Sequence, residues 1–204
     1  MKKVLVLVAV FALTMGSAFA QKGTWYVGTS AMTSVTDLEE PGTAFVTGFI
    51  VGKAKDPFFG DDLTVTSFGI APEAGYFLSD KFSVGLGVAF NLTKVSEDRR
   101  GDVKTTSFGI NPYARYFLIS KGNFGFYMQG GLSYVSSKDD SDDAEAFNTF
   151  YIGINPGVCY KLGDNFGVTA SFGNLGYTSY GEDVSAFGLN VDMSSLRFGL
   201  HYSF

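Results

Sequence analysis

The 204-residue chain has one cysteine, one tryptophan and one histidine, and charged residues make up only 17% of it. A lone Cys159 excludes an internal disulfide, and one cysteine with one histidine exclude a Cys/His metal cluster. Fifteen Lys and Arg against twenty Asp and Glu give a formal charge of −5. That balance lacks the basic patch that phosphate backbones require, so no nucleic-acid partner is expected. No segment after the N-terminus offers the ~20 uninterrupted apolar residues of a membrane helix. GxGxxG and P-loop motifs are absent, and no cofactor is expected.

Aromatic residues and glycine are abundant instead, with 21 Phe, 11 Tyr and 26 Gly. The N-terminus reads as an export signal: Lys2 and Lys3, an apolar run from Val4 to Leu13, then Ala18-Phe19-Ala20. Residues 1–20 are therefore expected to be removed, leaving a single domain over 21–204. Removal takes two lysines and makes the mature chain more acidic still.

A phrase recurs three times: SFGIAPEAGYF from Ser67, SFGINPYARYF from Ser107 and YIGINPGVCYK from Tyr151. Each copy runs into a tight turn, at Leu78–Lys81, Ile119–Asn123 and Leu162–Asn165, and then into a second alternating run from Phe82, Phe124 or Phe166. The repeating unit is a hairpin. Longer polar segments join the units: 94–102, SSKDDSDDAE at 136–145, and the region around 180–183. Three hairpins, an opening run at Thr24–Thr33 and a closing run at Ala186–Phe204 make eight strands. A propeller blade would need four short strands per repeat, and three copies would not close one. Residues 35–62 are the least regular; strand parity argues against an extra crossing there, so they read as a long first loop.

Alternate residues of a strand share a face. One face of the second repeat carries Phe108, Ile110, Pro112, Ala114 and Tyr116; the other carries Ser107, Gly109, Asn111, Tyr113 and Arg115. Eight strands with about five bulky apolar residues each supply roughly forty such side chains, more than an eight-stranded barrel encloses. The opposite face is Gly, Ser, Ala, Asn and Thr, which suit a narrow interior, so the bulky face meets lipid. Aromatics mark two depths. Tyr76, Phe82, Tyr116, Phe124, Tyr160, Phe166, Tyr202 and Phe204 lie by the short turns or the C-terminus, and Phe90, Tyr134 and Tyr177 lie eight to eleven residues further along. At ~3.3 Å per residue and a ~40° tilt the separation is roughly 20–28 Å, the height of an apolar band between two girdles.

The five ionisable residues of the strand cores, Glu73, Arg115, Lys161, Arg197 and His201, all fall on the small-residue face. A charge on the lipid face would cost about 2–4 kcal/mol at the midplane, so their parity supports the inside-out assignment. They are expected to form a lumen charge network, read as a plug rather than a pore constriction. His201-x-Ser203 with Glu73 invites comparison with lipid hydrolases, but the pair lies at the turn end, away from an outer leaflet, and no catalytic residues are assigned. Asp139, Asp140, Asp142, Asp143 and Glu145 gather in one loop without the glycine and spaced glutamate of an EF-hand. They read as a solvated acidic tip, and no metal site is expected.

The last strand alternates through Phe198, Leu200, Tyr202 and Phe204 and stops on the aromatic. This resembles the C-terminal signal that the assembly machinery of bacterial outer-membrane barrels recognises. With TWYVGTS at Thr24 and the repeated SFGI-x-P hairpins, the whole mature chain resembles the outer-membrane β-barrel domain family related to OmpX and the OmpA membrane domain. Met193-Ser194-Ser195 shifts the apolar phase by one and suggests a bulge. The resemblance implies an all-β, eight-stranded, antiparallel up-and-down transmembrane barrel in the bacterial outer membrane, with periplasmic termini and acidic loops outside. It implies a monomer contacting outer-membrane lipid and lipopolysaccharide, with loops available to an extracellular partner. The expected role is non-enzymatic, structural or surface-interacting; the alternatives are a small passive channel and, less favoured, a lipid A-modifying enzyme.

A proline in each repeated phrase, Pro72, Pro112 and Pro156, falls on the lipid face. Each forgoes a ladder hydrogen bond in a barrel that has no edge, so a bulge or loosened pairing is expected beside each.

Overall fold

The computed structural model describes residues 22–32, 47–55, 62–97, 101–140, 145–181, 184–191 and 196–204. The signal segment, Asp142, Asp143 and the suggested bulge at Met193-Ser194-Ser195 lie outside these residues. Every regular element among them is a strand: β1 (Trp25–Met32), β2 (Gly48–Lys55), β3 (Asp62–Ile70), β4 (Pro72–Ser79), β5 (Phe82–Glu97), β6 (Gly101–Lys121), β7 (Phe124–Asp139), β8 (Phe147–Lys161), β9 (Phe166–Ser171), β10 (Asn174–Tyr180), β11 (Val184–Asn190) and β12 (Arg197–Ser203).

The twelve segments occupy eight positions of an antiparallel up-and-down barrel. Nearer the short turns, β1, β4, β5, β6, β7, β8, β9 and β12 form a closed ring, sealed by the β1–β12 and β8–β9 ladders. Trp25 and Phe204 complete the closure by exchanging backbone hydrogen bonds of 3.1 and 2.9 Å. Nearer the long loops, β2, β3, β10 and β11 continue the positions of β1, β4, β9 and β12.

The expected long loop over 35–62 thus contains a strand. β2 runs in the same direction as β1 and takes its place beside the upper half of the second position. Strand parity survives because β2 continues a crossing rather than adding one. Threonine side chains stitch the handover. The Ala71 N–H donates to Thr47 Oγ1 (2.8 Å), and Thr29 Oγ1 donates to the Ala71 carbonyl (3.1 Å).

The faces are as the alternation requires. Val84, Leu86, Val88, Phe90, Ile110, Ile152 and Ile154 are exposed on the outside, while Ser83, Ala89, Tyr113, Arg115 and Thr169 are buried within. The aromatics near the turns pair directly across strands: Trp25 with Tyr76, Phe82 with Tyr116, Phe124 with Tyr160 and Phe166 with Tyr202. Phe90 with Phe108 and Tyr134 with Phe150 do the same higher up.

The interior differs from the small-residue lining that its composition suggests. Tyr26, Phe77, Tyr113, Phe117 and Tyr127 pack with Cys159 into a buried cluster in the turn-side half. Each inward tyrosine of that cluster lies opposite a glycine: Tyr26 on Gly75, Tyr113 on Gly85, Tyr127 on Gly157. A Cβ on any of these glycines would fall on the facing ring. Glycine and tyrosine are therefore complementary halves of one packing unit, which shields backbone that a bare glycine would expose.

All three repeat prolines coincide with a gap in pairing. Beside Pro72, the ladder to β5 stops at Ile70–Phe90 and resumes at Glu73–Gly87. Opposite Pro156, the register slips by one residue between Ile154–Leu175 and Gly157–Ser171, with Gly173 at φ 65°. At Pro112 the β6–β7 rows jump from Ile110–Tyr134 to Tyr113–Gly131. There the Asn111 side chain substitutes for the missing backbone donor, with Nδ2 2.6 Å from the Leu132 carbonyl and 2.7 Å from Ser133 Oγ.

This substitution sets a test by reversible unfolding in detergent. Asn111→Ala leaves the Leu132 carbonyl unsatisfied and is expected to cost about 1–3 kcal/mol. In a Pro112→Ala background, where a backbone N–H is restored, most of that cost should vanish. An equal loss in both backgrounds would contradict the substitution.

Candidate functional site

The lumen charge site is built where three strands bring ionisable side chains together across the neighbours that separate them. Glu73 on β4 has Gly28 of β1 on one side and Gly87 of β5 on the other. Beyond Gly28 stands His201 of β12, and beyond β5 lies Arg115 of β6. Because Gly28 carries no side chain, His201 reaches the carboxylate straight across β1, while Arg115, which stands opposite Ser83, reaches it diagonally across β5. Arg115 Nη2 donates to Glu73 Oε1 and Oε2 at 3.0 and 3.1 Å, and His201 Nε2 bonds Glu73 Oε1.

The guanidinium is held on all sides. Its Nε donates to Gln129 Oε1 at 2.6 Å, and its carbon lies 4.5 Å from the Tyr113 ring centroid, 5.4 Å from Tyr127 and 5.5 Å from Tyr26. Tyr26 donates to the Tyr113 hydroxyl at 3.1 Å and presents an edge contact to His201 at 5.5 Å. Cation–π contacts of this kind strengthen when water is excluded. The charge pair and the aromatic cluster thus form one filled layer across the barrel.

Of the five residues expected in a network, the structure joins Glu73, Arg115 and His201. Lys161 faces inward but sits at the turn-side rim, in the row of Gly167, away from the Glu73 pairs. Parity placed it inside; depth separates it from the plug. Arg197 lies one level above the plug, where it lines two cavities. The residues that sequence reading missed are the partners Gln129, Tyr26 and Tyr127. The signal for the two tyrosines is the glycine opposite each, Gly75 and Gly157; Gln129, opposite Arg115 and Asn155, carries no such signal.

No acyl-transfer geometry accompanies the His-x-Ser pair. His201 bonds Glu73, while Ser203 Oγ is buried with no hydrogen-bond partner among the described residues. Nucleophile and base are therefore not coupled. No group of three or more His, Cys, Asp or Glu capable of holding a metal occurs among the described residues.

In the acidic loop, Asp139 accepts a 2.5 Å bond from Thr105 Oγ1, and Asp140 accepts a 3.1 Å bond from the Lys104 N–H. These two carboxylates fasten the β6–β7 ladder, and Glu145 is exposed on the approach to β8. On the neighbouring hairpin Lys94 pairs with Asp102 at 2.5 Å. That bond, with one from Ser96, holds the Asp102 carboxyl below its usual range. In the last strand Phe198 and Leu200 are exposed on the outer face, and Tyr202 packs between Phe166 and Phe204.

Two outcomes are expected. Glu73→Ala strands the Arg115 charge in the lumen and should destabilise the barrel by about 3–5 kcal/mol in urea titrations, with most of the loss recovered in Glu73→Gln/Arg115→Met. Because the folded Asp102 carboxyl lies below its unfolded value, its contact persists above the ordinary carboxylate range, near 3.9, and is lost only as pH falls through the depressed value. Carboxyl-carbon NMR of Asp102 should show a midpoint below that of an unpaired aspartate; a midpoint at or above it would contradict the pairing.

Comparison with known proteins bears on this arrangement. The chain matches the outer membrane protein beta-barrel domain family over residues 5–204. It is similar to the crystal structure of the N-terminal beta-barrel domain of Pseudomonas aeruginosa OprF, at 16% identity and a TM-score of 0.45, covering 90% of this chain and 98% of that one. It is similar to Neisserial surface protein A (NspA) at the same identity and TM-score, covering 90% of this chain and 100% of that one. No curated protein matches it in sequence. With the family match spanning nearly all of its length, the chain belongs to the outer membrane protein beta-barrel domain family.

Proposed function

We propose that this protein is a non-enzymatic, monomeric outer-membrane barrel with a sealed lumen, acting as a structural wall element that presents surface loops. The observation that supports this most is the filled layer of Glu73, Arg115 and His201 among Tyr26, Tyr113 and Tyr127. An ion crossing the lumen would have to displace a bound guanidinium and several rings. The outward apolar band meets outer-membrane lipid, and Phe198, Leu200, Tyr202 and Phe204 serve as the signal for the barrel assembly machinery. The signal segment is cleaved on export. The hairpin tips at 94–102 and 136–145 carry opposed charges, contact lipopolysaccharide and are the surface for an outside partner.

A passive channel is the second reading. A polar gap of about 70 Å³ beside Arg115 and Arg197 favours it, since that is where an ion path would run.

Planar-bilayer recording separates the two. The wild-type barrel is expected to give no discrete openings, and Arg115→Ala/Tyr113→Ala to give them. Discrete wild-type openings whose size changes in Arg115→Gln or Arg197→Gln would replace the sealed barrel by the channel. Lipid A mass should be the same with and without the protein.

A further inference from the structure

Acid outnumbers base in the chain, twenty residues to fifteen, yet base gathers on one part of the outer wall. Lys94 and Lys104 stand directly opposite each other on β5 and β6, on the outward parity of Phe90 and Phe108. Lys138 lies opposite Thr106 on the outer face of β7, and Lys53 opposite Thr64 on that of β2. Like charges set directly opposite destabilise a ladder unless the other sign lies close. Asp102 and Asp140 approach Lys94 and Lys104 at 2.5 and 3.8 Å, while Asp139 turns to the inner face with Thr105. Among the described residues this outer face therefore sets four lysines against two carboxylates.

The height of these lysines is fixed by the register. Lys94 and Lys104 lie twelve residues beyond Phe82 and Tyr116, the turn-side aromatic pair of the same two strands. At ~3.3 Å per residue and a ~40° tilt, that is roughly 30 Å, just past an apolar band ~25 Å tall. Below them the same face carries Leu92, Phe90 and Phe108, and Phe49 opposite Phe68, all exposed. Hydroxyls stand among the lysines, from Thr64, Thr66, Ser96 and Thr106. A shelf of cationic and hydroxyl donors thus rims the top of an apolar wall, at the level where headgroups meet acyl chains.

We propose that this shelf binds an outer-leaflet glycolipid bearing more than one phosphate and several acyl chains, with its phosphates on Lys53, Lys94, Lys104 and Lys138. The inference rests on the reading of the long loops as the outside end of the barrel in contact with lipopolysaccharide, and it assigns the residues of that contact. From β2 to β7 the shelf crosses four strand spacings, by way of β3, β5 and β6, or roughly 19 Å at ~4.8 Å each. One phosphate cannot touch lysines at both ends, so the shelf suits a headgroup with separated anions. A phosphate between Lys94 and Lys104 offsets their mutual repulsion, and the Thr106 hydroxyl beside Lys138 is a further donor to it. Lysine suits the place, since its apolar stem lies on the wall while its charge stays at the headgroup level. The acyl chains cover Phe49, Phe68, Leu92 and Phe108.

The full chain, refolded into phosphatidylcholine nanodiscs and titrated with diphosphoryl lipid A or with phosphatidylglycerol, tests this by native mass spectrometry. Diphosphoryl lipid A should be held at least tenfold more tightly than the singly charged lipid. Lys53→Gln/Lys94→Gln/Lys104→Gln/Lys138→Gln should lose at least tenfold, and arginine at the same four positions should retain binding. Lys81→Gln/Lys121→Gln, at the turn-side end, should bind as wild type. Heat-modifiable gel migration identifies folded variants; if the fourfold glutamine variant does not fold, Lys53→Gln/Lys138→Gln, which breaks neither aspartate pair, should lose at least threefold. Equal affinity for the two lipids, undiminished binding by the glutamine variants, or an equal loss in the turn-side variant would overturn the proposal. The orientation beneath it is read separately. In intact cells a membrane-impermeant maleimide should label Asp140→Cys in a Cys159→Ser background, and labelling only after permeabilisation would overturn the outward-loop reading whatever lipid the nanodisc barrel retains.

Discussion

Every backbone N–H and C=O that crosses a bilayer must find a partner within the protein, and the architecture follows from that demand. It explains why the turn-side ring closes without a gap and why Trp25 and Phe204 exchange backbone bonds at the join. It also explains where side chains stand in for the ladder. Asn111 donates to the carbonyl that Pro112 cannot serve, and Thr47 and Thr29 satisfy Ala71 where β1 gives way to β2. Asn111 makes its substitute bond on the inner face, whereas Thr29 shares the outward parity of Val27 and has its hydroxyl satisfied by Thr47 and the Ala71 carbonyl.

A second constraint acts inside. Eight strands enclose little volume, so several large inward residues sit where a neighbour contributes no side chain. Gly75, Gly85 and Gly157 make room for Tyr26, Tyr113 and Tyr127, and Gly28 lets His201 pass over it to Glu73. The same rule therefore accommodates both the three tyrosines and the His201–Glu73 contact. A buried carboxylate–guanidinium pair is poor evidence for stability by itself, because desolvation offsets its attraction. Its value here lies in geometry: Arg115 stacks on three rings, one of them from its own strand, and bonds Glu73 and Gln129, so β1, β4, β6 and β7 share one register.

What the sequence discloses and what it conceals divide by range. Period-two alternation, the tight turns and the two aromatic heights are properties of single strands, and they led directly to an inside-out barrel of eight crossings. The prolines were legible too, since a missing N–H is a local fact with a necessary consequence for the neighbouring strand. Depth and register were not. Lys161 shares the inward parity of Cys159, yet only the register reveals that it sits at the rim, apart from Glu73. Tyr26 and Tyr127 join the plug because particular glycines face them, a pairing visible only once strands are aligned. Residues 48–55 defeated the loop reading because a strand that resumes an interrupted crossing leaves parity unchanged.

The two halves of the barrel answer these constraints in opposite ways. The turn-side half fills its lumen and closes its ladder, so it needs nothing from outside. In the loop-side half, β11 pairs only with β10 among the described residues, and the cavity is lined largely by amides and hydroxyls. A polar lumen tolerates incomplete pairing, because water reaches the backbone from within. A filled apolar lumen does not. The interruptions at Ala71 and Phe172-Gly173 gather at the boundary between these regimes, above the Arg115 layer. Strand breaks are thus concentrated where the lumen changes from packed rings to polar side chains, and the plug marks the height below which the barrel must be complete.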